Sequence, residues 1–181
     1  MISELQKRKL TAFFNTFDAN RNGFIEVQDI EAIVINLTKI RHEVVGSVVY
    51  NFLHTKYMED WKGLLAATDT NGDGKISLEE WFVFHGQQLQ AEVPYWRAGE
   101  KTSVEYLFEL IDLDGNGEIG ADEYALFLTA YNVKADSTTI FPTLDLNGDG
   151  HISKSEFTEI CEQFYSSSDE QARGNWLFGA F

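Results

Sequence analysis

The sequence predicts an all-α fold. Four helix–loop–helix units fall in two pairs, with short β-pairing between the loops of each pair, and the whole packs as one compact body. Three observations predict it. A twelve-residue pattern of Asp, Asn, Gly and Ile recurs from Asp18, Asp69, Asp112 and Asp145. Apolar residues flank every copy at helical spacing. No long polar linker divides the copies, which argues against a dumbbell.

The helices follow in order. Leu10, Phe13, Phe14 and Phe17 form a stripe before the first loop, with Ser3 as N-cap, and Ile30, Ile33, Val34 and Leu37 follow it. A long segment with Val49, Phe52, Leu53, Tyr57, Trp61, Leu64 and Leu65 enters the second loop, and Trp81, Phe82 and Phe84 leave it. Val104, Leu107, Phe108 and Ile111 lead into the third loop, and Tyr124, Phe127, Leu128 and Tyr131 leave it. Ile140, Phe141 and Leu144 precede the fourth, where Pro142 should shorten or kink the helix; Phe157, Ile160, Cys161 and Phe164 follow. These stripes read as core.

The four loops have one chemistry. They are 18–29, 69–80, 112–123 and 145–156, each the length of an EF-hand loop. A hard divalent cation wants six to eight oxygens at about 2.3–2.6 Å, and a short loop wrapped around it supplies them. Positions 1, 3 and 5 offer side-chain oxygens: Asp18, Asn20 and Asn22; Asp69, Asn71 and Asp73; Asp112, Asp114 and Asn116; Asp145, Asn147 and Asp149. Position 7 offers a backbone carbonyl, from Phe24, Lys75, Glu118 and His151. Position 9 is Glu26, Ser77, Gly120 or Ser153, and water should take the place at Gly120. The acid at 12 is Glu80, Glu123 or Glu156, but Asp29 in the first loop. Gly23, Gly74, Gly117 and Gly150 make the sharp turn, and Ile25, Ile76, Ile119 and Ile152 suit the strand pairing. The expectation is Ca²⁺ in the second, third and fourth loops. The shorter Asp29 invites Mg²⁺ competition in the first, where Glu26 compensates by reaching in.

Organisation follows from the spacing. An N-terminal pair occupies 1–92 and a C-terminal pair 93–165, with Pro94 at the joint, and a tail runs over 166–181. Trp176, Leu177, Phe178 and Phe181 would be costly to leave in water, so the tail is expected on the core; a partner-binding peptide is the alternative.

Charge narrows the function. Fourteen basic against 29 acidic residues give a net charge of −15, which disfavours nucleic acid and anionic membrane. With 14 Phe, 7 Tyr and 4 Trp, disorder is a poor reading of that acidity. The single cysteine, Cys161, excludes an intramolecular disulfide and reads as a buried thiol. Met1-Ile2-Ser3-Glu4 has neither a signal layout nor the glycine myristoylation needs, and no apolar run would span a bilayer. The expectation is a cytoplasmic monomer without membrane anchor. Asn36-Leu37-Thr38 falls inside a helix, so its sequon is a chance match.

The chain resembles the sarcoplasmic calcium-binding proteins and their calexcitin-like members over its whole length. The shared features are four hands, the wide first gap, Asp29, Phe14-Asn15-Thr16-Phe17 and Gly174-Asn175-Trp176-Leu177-Phe178-Gly179. The resemblance implies a compact cytosolic Ca²⁺/Mg²⁺-binding protein, a buffer or a sensor. That family usually carries one degenerate loop; here the second and fourth are intact. Its superfamily includes coelenterazine-binding proteins and photoproteins, whose ligand lies in an aromatic cavity with His, Trp and Tyr nearby. The photoproteins' terminal proline is absent from Gly179-Ala180-Phe181, and His42, His54 and His85 read as ordinary helix-face residues. A Ca²⁺ buffer or carrier is the leading reading. A sensor exposing a hydrophobic surface is the alternative, weakened by having only Met1 and Met58. A ligand carrier is a further one. No nucleophile–base pair, P-loop or zinc spacing points to an enzyme.

Overall fold

Ser3 starts the first helix as a residue with a short polar side chain should. Its hydroxyl accepts from the Gln6 backbone while the Gln6 side chain accepts from the Ser3 N–H, closing a capping box on α1 (Glu4–Phe17). The structure is a computed structural model that describes residues 2–98 and 103–179. Phe181, expected in the packed tail, lies outside the described residues.

Among those residues the elements alternate as the repeat demands. Strand β1 (Phe24–Ile25) leads into α2 (Val27–Ile40), and α3 (Val48–Thr68) runs to β2 (Ile76–Ser77) and α4 (Leu78–Gln88). A 3-10 turn, Tyr95–Arg97, then joins the halves. It leads to α5 (Ser103–Ile111), β3 (Glu118–Ile119), α6 (Ala121–Ala130), α7 (Ser137–Leu144), β4 (Ile152–Ser153) and α8 (Lys154–Ser166). A second 3-10 turn, Arg173–Trp176, carries the tail. Helix α7, with Pro142 inside it, is the shortest helix described. No described helix is long and apolar enough to cross a membrane.

The position-8 isoleucines do the pairing. Strands β1 and β2 run antiparallel with Ile25 opposite Ile76; β3 and β4 do the same with Ile119 opposite Ile152. All four side chains are buried, so each ribbon is anchored to the core beneath its two loops.

One core runs through both halves. Helix α1 packs on α4 and α8, and α2 packs on α3 and α6. Polar contacts cross the joint. Asn36 Nδ2 donates to the Ala130 carbonyl at 3.1 Å, which occupies the amide of the sequon. Arg41 donates to the Leu110 carbonyl, and the Tyr57 and Tyr131 hydroxyls meet at 2.6 Å. Trp96 stacks on Tyr165 with centroids 4.5 Å apart.

The tail is held from both sides. Leu177 and Phe178 are buried, and Phe178 stacks on Phe13 at 4.5 Å. Lys9, fully buried, donates to the Gln163 and Ser167 carbonyls and, at 3.0 Å, to Asn175 Oδ1. Arg173 caps the end of α7 by donating to the carbonyls of Pro142, Asp145 and Leu146. Gly174 lets the tail approach α8: a Cβ there would lie 2.3 Å from the Ile160 carbonyl oxygen.

Two expected core residues are on the surface. Phe52 is 64% exposed because α3 buries the stripe Leu53, Tyr57, Trp61 and Thr68, and the next residue along a helix turns by about 100°. Trp176 is half-exposed on its 3-10 turn while its two successors turn inward.

Candidate metal centres

Each loop is wound by its own carboxylates. The Asp at position 1 accepts the backbone N–H of the glycine at position 6: Asp18 from Gly23 at 2.9 Å, Asp69 from Gly74 at 2.9 Å, Asp112 from Gly117 at 3.0 Å, Asp145 from Gly150 at 2.8 Å. Those glycines sit at φ between 78° and 92°, a region that a Cβ disfavours. Positions 3 and 5 accept from the N–H two residues on: Asn20 from Asn22, Asn22 from Phe24, Asn71 from Asp73, Asp73 from Lys75. The same turns recur at Asp114, Asn116, Asn147 and Asp149. The turns fix the side-chain oxygens around the hollow of each loop, and a carboxylate has lone pairs to spare.

The acid at position 12 closes the ring from the far side. Glu80 takes the Thr70 N–H with one oxygen and the Ser77 N–H and hydroxyl with the other. Glu123 bridges Leu113 to Gly120, and Glu156 bridges Leu146 to Ser153. All three reach the N–H at position 2. Asp29 falls short of that: its oxygens take the Glu26 N–H at 3.0 Å and the Asn20 side-chain amide at 2.9 Å, one residue further into the loop. The missing methylene is thus visible as a shifted partner. Carboxylate oxygens of Asp112, Asp114 and Glu123 lie within 4.8 Å of one another, a hard-oxygen cluster whose spacing fits one divalent cation.

Protonation separates the loops. Hydrogen bonds from Ser77 and Thr70 hold Glu80 down at about 2 against burial. Burial pulls Glu156 upward, but bonds from Ser153 and Asn147 keep it below the usual range. Asp29 goes the other way: burial raises it, outweighing its two backbone bonds, and the charges of Asp18 and Glu26 add to the rise. A cation beside Asp29 would relieve that penalty.

The geometry contains a contact that loop spacing alone does not announce. Lys75 Nζ lies 2.8 Å from Glu26 Oε1, while Asn22 donates to Glu26 Oε2 at 2.7 Å. Pairing Ile25 with Ile76 places position 7 of the second loop beside position 9 of the first, so the register was a signal for it. A second omission is position 4. Gly72, Gly115 and Gly148 have φ from 73° to 77°, and the first loop puts Arg21 there at φ 59°.

Two histidine expectations need correction. His85 is buried, ringed by Phe13, Trp81, Phe84 and Tyr95, and burial pushes its imidazole down to about 3. It faces α4's packed side and not solvent. His42 lies in the turn after α2, at φ 56°. His54 is on α3, 5.6 Å from the Tyr50 ring one turn earlier.

Comparison with known families agrees with this geometry. A model described as an EF-hand domain pair matches 58–129, and one described as EF hand matches 10–34 and 139–161. "Sarcoplasmic calcium-binding protein 1" of Astacus leptodactylus is 27% identical, over 90% of this chain and 89% of its own. The solved structure of an amphioxus sarcoplasmic calcium-binding protein superposes with TM-score 0.76 at 19% identity, over 100% of both chains. The chain carries EF-hand domains and is similar over most of its length to the sarcoplasmic calcium-binding proteins. Another structural neighbour is the Ca-loaded coelenterazine-binding protein of Renilla muelleri, with TM-score 0.69 and 25% identity, covering 99% of this chain and 100% of that one. The domain-pair match spans the second and third loops, whereas the ribbons join the first to the second and the third to the fourth.

Proposed function

We propose that this EF-hand chain is a Ca²⁺ buffer or carrier with up to four sites, the first shared with Mg²⁺. The ligands would be the side chains at positions 1, 3, 5 and 12, the carbonyls at position 7, and Glu26, Ser77 and Ser153 at position 9. The cluster of Asp112, Asp114 and Glu123 carries this reading, because oxygens held that close repel one another until a cation lies between them. Four divalent ions would bring the formal charge from −15 to −7. Binding to the folded chain alone then stabilises it by mass action. We divide the chain at 1–92, 93–165 and 166–181, with one pair of sites in each of the first two parts.

A buffer is favoured over a sensor by the tail. A sensor must part its helices to expose a groove. Here Phe178 lies between Phe13 of α1 and Phe164 of α8, at 4.5 and 4.9 Å, so opening would have to expel it. The test is a Ca²⁺ titration in millimolar-range Mg²⁺, following calorimetric stoichiometry and a hydrophobic dye together. Three or four ions bound without a dye response supports the buffer. A saturable dye rise would make the chain a sensor, and a melt unchanged between Ca²⁺ and excess EDTA would remove the metal reading altogether.

A further inference from the structure

A surface groove of about 450 Å³ runs between the C-terminal half of α1, the start of the first loop, the α6–α7 connection and the tail. In a chain where acids outnumber bases 29 to 14, its charged lining residues are Arg21, Lys134 and Asp136. Both cations are exposed, and among the described residues neither side chain has an ion pair or a hydrogen bond. Asp136 is committed to α7: it accepts the N–H of Thr138 and the hydroxyls of Thr138 and Thr139. Much of the remaining wall is apolar, from Val133, Ile140, Phe178 and the half-exposed Trp176. Arg21 is also strained. It sits at φ 59°, where the other three loops place glycine. A Cβ disfavours that region, and strain of this kind collects where a side chain has a task. The loop itself makes no use of this guanidinium, so the task lies in the groove.

We propose that this groove binds an amphipathic organic monoanion, a carboxylate on a small apolar body, held by Arg21 and Lys134 with the body against Val133, Ile140 and Trp176. A single negative charge follows from the lining. Two cations beside one committed acid leave one positive charge, and a chain of net charge −15 repels anything more negative. A guanidinium suits a carboxylate because its planar fork can take both oxygens. The apolar body follows from the exposure of the cations. Surface charges hold an ion weakly in salt, so burial of hydrocarbon must supply much of the affinity. The volume lies at the lower end of small-molecule sites, which suits a body of about two fused rings. Arg21 stands at loop position 4, which offers no metal ligand, so the site does not rest on the Ca²⁺ reading.

The test titrates the full chain, with Ca²⁺ present, with 2-naphthoate and follows the tryptophan indole N–H signals by NMR. The expected result is a saturable shift of Trp176, while Trp61 and Trp96, which do not line the groove, stay in place. 2-Naphthamide, of the same shape without the charge, should bind about tenfold more weakly. Acetate and inorganic phosphate, charges without the body, should give no saturable shift. Arg21→Gly, the residue of the other loops, and Lys134→Gln should each weaken naphthoate about three- to fivefold and leave naphthamide unchanged. Lys62→Gln, which removes an exposed cation from α3, should change neither. Equal affinity of naphthoate and naphthamide would overturn the cation assignment, as would a loss with Lys62→Gln that matches the loss with Lys134→Gln. Acetate or phosphate binding as tightly as naphthoate would overturn the amphipathic class. No saturable shift at Trp176, or shifts at Trp61 or Trp96 in its place, would overturn the groove as the site. Native Trp61 and Trp96 signals in each free variant report its fold, and Lys134→Gln, outside the loops, decides the matter if Arg21→Gly disturbs its own. Calcium stoichiometry is read separately, so its loss counts against the metal reading and not against the groove.

Discussion

Lys75 of the second loop and Glu26 of the first form an ion pair of 2.8 Å across the β1–β2 ribbon. The residue that the first loop offers at position 9 is therefore already held by an ammonium from its neighbour. This bond is the largest influence lowering Glu26, and the reciprocal bond raises Lys75. A cation entering the first loop must compete with Lys75 for that carboxylate.

Replacing Lys75 with Gln should therefore tighten divalent binding at the first site. Both partners are partly exposed, so the gain should be modest, up to about fivefold. Calorimetry with a background of Mg²⁺ would resolve it. An unchanged first-site affinity would mean that Glu26 takes no part in ligation.

Lengthening Asp29 to Glu should let position 12 reach the N–H of Ala19, as Glu80, Glu123 and Glu156 reach the N–H at position 2 of their loops. The first site should then shift from Mg²⁺ towards Ca²⁺, because a bidentate ligand suits the larger ion. Competition of the two ions, followed by NMR of the Gly23 amide, would show it. Selectivity that does not move would refute the role given to position 12.

Arg21 at φ 59° stands where the other loops use glycine. Relief of left-handed strain, less the extra freedom of the unfolded chain, should make Arg21→Gly stabilising by about 0.5–1 kcal/mol. Urea unfolding without metal is the measurement, and a destabilised variant would contradict the strain.

Removing the ammonium of Lys9 strips three acceptors, on Gln163, Ser167 and Asn175, of their buried donor. Lys9→Met should cost about 1–3 kcal/mol. The loss should be accompanied by faster hydrogen exchange at Leu177 and Gly179, whose N–H groups bond within the tail. Unchanged exchange would mean that the tail is held by Leu177 and Phe178 alone.

Acid should weaken the fold through His85. Its folded pKa, about 3, lies below the ordinary 6.5, so between those values the unfolded chain binds the extra proton. The stability that neutral His85 contributes is complete above pH 6.5 and is lost as pH falls towards 3. The slope is at most about 1.4 kcal/mol per pH unit. His85→Phe should thus lose about 2 kcal/mol less than the unaltered chain between pH 7 and pH 5. Terms shared by both chains cancel in that difference, and parallel curves would show that His85 is protonated in the fold.

What the sequence determined by itself was everything with a short reach. An EF-hand loop spans twelve residues, so its candidate oxygens, its turn glycine and its Ile can be read directly. A helix stripe repeats within a few residues, so the buried faces of α1, α2, α6 and α8 were legible. The exposed Phe52 was not, because one position of rotation on α3 depends on which neighbour the helix meets. The tertiary structure decided the rest by bringing distant residues together. Lys9 meets Asn175 across 166 positions, Tyr57 meets Tyr131 across 74, and Trp81 bonds the Leu10 carbonyl across 71. His85 has the same sequence surroundings whether it faces water or a cavity. Only the packing of α1, α4, α8 and the Tyr95 turn around it makes it a buried, neutral imidazole whose Nε2 has no partner, because burial depends on elements that converge in space from distant parts of the chain.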